Sequence, residues 1–108
     1  MTSEKMCEIA RTAVEKYGRV NQVLKAIEEL AELQRALARD LPLDAPQEAE
    51  ANVCEEIADV EIMLFQLWMF YDTKEIQEWE DSKLERLARM VGVEIGEEGA
   101  DEHQRDQT

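Results

Sequence analysis

A chain of 108 residues has room for one hydrophobic core, and its 44% hydrophobic content is ordinary for a globular domain. Its 26 acidic side chains against 12 basic ones give a formal charge of −14, which repels a nucleic-acid backbone and argues against polymeric nucleic acid as a partner. A small polyphosphate remains compatible, because a divalent metal can bridge its oxygens to protein carboxylates.

The amino terminus "MTSEKMCEIA" carries charge where a signal peptide would be apolar. Cys7 and Cys54 lie far apart, without CxxC spacing and with one histidine in the chain, which argues against a zinc site. Both are read as small buried apolar side chains, and a reducing cytoplasm is the expected compartment.

The elements read as helices from end to end. Ile9, Ala10, Ala13, Val14 and Tyr17 form one stripe at helical spacing that stops at Gly18. A second helix is predicted from about Arg19 to Ala38, with Val20, Val23, Leu24, Ile27, Leu30, Ala31, Leu33 and Leu37 in a broad apolar arc. "RDLPLDAPQ", residues 39–47, holds both prolines and reads as a loop. A third helix is expected from near Pro46, whose fixed φ suits a first turn, to about Tyr71. It is apolar almost all the way round, which predicts burial, and at this chain length a partner subunit would have to cover part of it. Its run "VEIMLFQLWMFY" is broken by Glu61 and Gln66 and falls short of the ~20 residues of a membrane span, so no membrane partner is expected. "DTKE" fits a capping box at Asp72 that opens a fourth helix ending before Gly92. The acidic tail, residues 96–108, has almost no apolar side chain and is expected to be disordered. The expected fold is thus all-α, a bundle of about four helices over residues 1–95.

Two carboxylate pairs stand out. "EELAEL" places Glu29 and Glu32 about 60° apart around the second helix, and "EEIADVE" does the same for Glu56 and Asp59 on the third. Each pair can grip one hard cation, and two such helices facing each other make a site. For the first pair a solvated face competes: both acids fall opposite the centre of the apolar arc, with Lys25 four residues before Glu29 and Arg35 three after Glu32 in position for surface ion pairs. The second pair resists that account, because clustered carboxylates on a buried helix need a positive neighbour. In the fourth helix Lys83 falls within the stripe of Ile76, Trp79, Leu87 and Met90, and Arg86 lies along its edge; either could reach a phosphate or simply extend to water.

An ExxE on one helix followed by an ExxD on the next, here "EELAE" and "EEIAD", resembles the MazG-type all-α nucleoside triphosphate pyrophosphohydrolases. The likeness extends over the approach "YGRVNQVLKAIEELAEL" and a closing helix carrying "KLERL", roughly Ile9 to Val91. It implies an enzyme that binds Mg²⁺, with Mn²⁺ as a substitute, through Glu29, Glu32, Glu56 and Asp59. It also implies cleavage between the α and β phosphates of a nucleoside triphosphate, releasing a monophosphate and pyrophosphate. A homo-oligomer, dimer or tetramer, is implied as well, with sites near subunit contacts. On that footing Glu28 or Glu55 is the candidate catalytic base, and Lys25, Lys83 and Arg86 are candidate phosphate contacts. Gln22 is a candidate for the base or sugar, or a plain surface glutamine. The alternative is a noncatalytic helical oligomerisation or nucleotide-binding regulatory module.

Overall fold

The computed structural model describes residues 1–96, and beyond Gly96 the acidic tail lies outside the described residues. These fold into four α-helices, α1 (Ser3–Tyr17), α2 (Arg19–Asp40), α3 (Ala49–Leu67) and α4 (Thr73–Val91), with no strand among the described residues. The chain divides into two compact units, Met1–Tyr71 and a second beginning at Asp72.

Local chemistry sets the helix ends. The Thr2 side chain accepts a hydrogen bond from the Lys5 amide at 3.1 Å and opens α1. Gly18 then breaks the chain with φ 85°, a conformation that a residue with a Cβ adopts only under strain, so α1 and α2 meet without a longer loop. The third helix is shorter than its pattern predicts. Pro46 forms a turn in which its carbonyl accepts from Ala49, and α3 proper starts there. At its far end the amides of Met69 and Phe70 bond back three residues, to Gln66 and Leu67, which tightens the last turn before the chain reaches the extended Asp72.

In the first unit α2 and α3 form the main antiparallel pair, and α1 rests against both. The seam between them is an unusual choice of surface. On α2 the buried residues are Gln22, Ala26, Glu29 and Ala36, and on α3 they are Ala49, Val53, Val60, Met63 and Gln66. The small alanines let the helices approach closely, and the polar residues come inward with them. The broad apolar arc of α2 faces out instead, with Val20, Leu24, Ile27, Leu30 and Leu37 all exposed. Helix α3 is likewise only half covered: Ile57, Ile62 and Leu64 are exposed, against the expectation of a helix buried all round. Cys54 belongs to that outer side of α3 and is exposed rather than buried, while Cys7 is half-buried; both are free thiols.

In the second unit the Asp72 carboxylate accepts the Glu75 amide at 3.1 Å, so the cap expected at "DTKE" is formed. Helix α4 ends at Gly92 in the left-handed region, where the Val93 amide reaches back to the Ala88 carbonyl at 2.8 Å. No residue of α4 is buried, and Trp79, Leu87 and Met90 carry an exposed apolar stripe along it. No helix among the described residues is long and apolar enough to cross a membrane.

Candidate metal centre

The register of the α2–α3 pair is fixed at two points. The Gln22 amide Nε2 donates to Gln66 Oε1 at 2.6 Å, and Glu32 approaches Glu56. Each residue gained along α2 from 22 to 32 is therefore matched by one lost along α3 from 66 to 56, over about 15 Å of seam. This register sets the two carboxylate pairs across from one another.

Carboxylate oxygens of Glu29, Glu32 and Glu56 all lie within 4.8 Å of one another, and so do those of Glu55, Glu56 and Asp59. Glu56 belongs to both groups and joins them. The four acids expected to act together thus gather around one side chain, from two helices. Glu29 is the deepest, at 7% exposure, while Glu32, Glu56 and Asp59 are half-buried. A solvated face does not describe Glu29, although the ion pairs expected of such a face do form. Lys25 Nζ lies 3.1 Å from Glu29 Oε1 and 3.8 Å from Glu28, and an Arg35 nitrogen lies 4.0 Å from Glu32.

Those cations leave the inner oxygens unanswered. Glu29 Oε2 and Glu56 Oε2 are both buried with no hydrogen-bond partner. A buried acceptor without a partner loses its hydration and gains nothing in return, and a shared charge makes the loss larger. The Glu56 carboxyl responds accordingly. Its pKa is raised above the usual carboxylate range, first by burial and then by the negative charges of Glu32, Asp59, Glu29 and Glu55. The Lys25 pKa is raised as well, by its bond to Glu29 and then by the charge of Glu28, which for an ammonium favours the charged form. The donors on offer are all carboxylate oxygens, the ligand type that suits a hard divalent cation such as Mg²⁺ or Mn²⁺ rather than a soft one.

The remaining candidates are spread more widely. Glu55 is exposed but lies within the second carboxylate group, whereas Glu28 points to the outer side of α2 beside Lys25. Gln22 is neither a surface glutamine nor an open contact for a ligand: it is buried, with its amide committed to Gln66. Gln66 itself, whose amide also approaches the Met63 sulfur at 3.9 Å, is absent from the sequence-derived site. The available signal was a lone amide interrupting an apolar helix, matched by a second amide on the neighbouring one. Lys83 and Arg86 are exposed on α4, with the Lys83 ammonium 5.8 Å from the centre of the Trp79 ring. They belong to the second unit, and the carboxylate groups are built wholly from the first.

No family model matches this chain, and neither does any curated protein or solved structure.

Proposed function

We propose that the chain is a divalent-metal-dependent nucleoside triphosphate pyrophosphohydrolase of the MazG-like kind, taking Mg²⁺, or Mn²⁺ in its place. The observation that carries this reading is the pair of buried, unpartnered oxygens on Glu29 and Glu56, two side chains whose carboxylates cluster at a seam that also holds Glu32 and Asp59. Such an arrangement is costly as a purely structural device, and a hard cation answers it.

Glu29, Glu32, Glu56 and Asp59 would hold the metal. When bound, the metal supplies neutralisation of phosphate charge and a lowered pKa for a bound water. Glu55, exposed at the edge of the cluster, is better placed than Glu28 to take the proton of a water attacking the α-phosphorus. Pyrophosphate leaves, and the nucleoside monophosphate remains. Lys25 fixes the orientation of Glu29, and its exposed ammonium can turn to a phosphate oxygen as well.

The active form in this proposal is a homo-oligomer, dimer or tetramer, that covers the apolar arc of α2. Val20, Leu24, Ile27 and Leu30 make a continuous stripe that water disfavours, and a second copy offers the same stripe in return. That same stripe supports a second reading, a noncatalytic oligomerisation module that keeps its acidic seam without using it.

One assay separates the two. Pyrophosphate release would be measured from a panel of nucleoside triphosphates, with Mg²⁺ and with chelator, for wild type and Glu56→Gln. Metal-dependent release that the substitution abolishes is expected of the enzyme. Release from no nucleotide, in a protein that still assembles, would leave the module.

A further inference from the structure

On the loop side of Glu32 and Glu56 the α2–α3 seam opens into a groove of about 370 Å³, lined by Glu32, Arg35, Ala36, Arg39, Asn52 and Glu56. Two of these residues follow the carboxylates along the same line of α2: Arg35 comes one turn after Glu32, and Arg39 one turn after that. In a chain with 12 basic residues against 26 acidic ones, two guanidinium groups in one groove that also holds two carboxylates are a local exception.

Neither arginine is tightly engaged. Arg35 stands 4.0 Å from Glu32, and Arg39 stands 3.5 Å from Glu48, itself an exposed side chain. Charge-assisted pairs that carry real energy close to about 2.7–2.9 Å, so both forks keep donors to spare. Asn52 adds an amide from α3 on the opposite wall. The groove thus runs from Glu56, with its unpartnered buried oxygen, to two guanidinium groups whose carboxylate partners stand no closer than 3.5 Å.

We propose that this groove receives the pyrophosphate end of the substrate, with its β and γ phosphates on Arg35, Arg39 and Asn52 and its metal-facing oxygens toward Glu32 and Glu56. A metal-bound pyrophosphate group presents a cation at one end and anionic oxygens at the other, and the groove offers the complement of each. Arg35, Arg39 and Asn52 are then substrate contacts beyond those expected from the carboxylate motifs. The assignment rests on the metal-dependent reading above. It fixes the direction of the substrate along the seam, with the leaving group toward the α2–α3 loop and the nucleoside away from it.

The test is calorimetric titration of the full chain with magnesium pyrophosphate and with an α,β-imido nucleoside triphosphate, which resists cleavage, alongside Mn²⁺ binding alone by electron paramagnetic resonance. Arg35→Gln/Arg39→Gln is compared with wild type and with Arg11→Gln/Arg89→Gln, which removes the same charge elsewhere. Thermal melts confirm that each variant is folded, and Arg39→Lys provides a variant that retains the charge but loses the fork. The expected result is affinity for both polyphosphates reduced at least tenfold in the groove variant and less in Arg39→Lys, with Mn²⁺ affinity and the control variant within twofold of wild type. Unchanged polyphosphate affinity in a groove variant that still binds Mn²⁺ would overturn the groove and leave the metal centre standing. An equal loss in the control variant, a parallel loss of Mn²⁺, or a loss confined to free pyrophosphate would overturn it too. Wild type that binds neither Mn²⁺ nor polyphosphate would remove the metal-dependent reading, and the groove with it.

Discussion

The two faces of α2 reverse the usual arrangement. Its inner face, against α3, carries Gln22, Ala26, Glu29 and Ala36, while its outer face carries Val20, Leu24, Ile27, Leu30 and Leu37 in contact with water. A helix pair that chose its contact by hydrophobicity alone would turn the leucines inward. The inner face instead brings carboxylates from two helices to within bonding distance of one ion, and the alanines make that approach possible. The difference sets a seam that gathers carboxylates against an apolar arc left exposed, and it is on that arc that the proposed assembly rests.

The largest effect should come from breaking the outer face. Ile27→Glu/Leu30→Glu replaces two exposed apolar side chains that assembly would bury, removing roughly 3 to 6 kcal/mol of association free energy. Sedimentation velocity should show the wild type as an oligomer and the variant as a monomer. A wild type that sediments as a monomer would refute the assembly.

Next comes the inner face and the metal proposed for it. Mg²⁺ at a hundredfold above its dissociation constant should stabilise the wild type by about 2.7 kcal/mol in thermal melts, and Glu56→Gln should lose that gain. Turnover in the same variant should fall by ~100-fold or more. Without metal the sign reverses. The Glu56 pKa is raised in the folded chain, so the folded state holds more protons than the unfolded one, and stability declines as pH rises from the ordinary carboxylate range through the raised value. Glu56→Gln should flatten that decline in chelator, and Mg²⁺ should counter it in the wild type. Denaturant melts across pH, with and without chelator, check both.

The amide pair gives a smaller and cleaner effect. Gln66→Leu leaves the Gln22 amide buried without its partner and should cost about 1–3 kcal/mol, whereas Gln22→Leu/Gln66→Leu should recover most of the loss. A double-mutant cycle in denaturant melts measures the coupling. Smallest of all, Asp72→Ala removes a cap from α4 in the second unit and should cost about 1 kcal/mol by the same method, with no change in Mg²⁺ affinity.

Much of this was legible in the sequence, and the limits have physical causes. The break at Gly18, the cap at Asp72 and the stop at Gly92 follow from residue chemistry within a few positions, and all three occur where expected. The gathering of Glu29, Glu32 and Glu56 follows from helical spacing once the two helices are antiparallel. Periodicity gives the direction of an apolar arc but not what lies against it, so the outward turn of Leu24 and Leu30 and the burial of Glu29 could not be read from α2 alone. The same gap hid Cys54, whose apolar neighbours suggested a core that the described chain does not provide. In sequence Gln66 is only an interruption in an apolar run, because a buried amide is recognisable only beside its partner. The apolar pattern of α3 runs past both ends of the helix, since Pro46 and the tightened turn after Leu67 act through hydrogen bonds that composition does not display.

The most direct measurement is Mn²⁺ binding by electron paramagnetic resonance, competed with Mg²⁺, on wild type and Glu56→Gln at neutral pH. A carboxylate seam built to hold a cation predicts saturable binding in the wild type that Mg²⁺ displaces and that the substitution removes. Equal, weak and unsaturable binding in both proteins would contradict it, and would leave the buried oxygens of Glu29 and Glu56 as a strain that the fold carries without using.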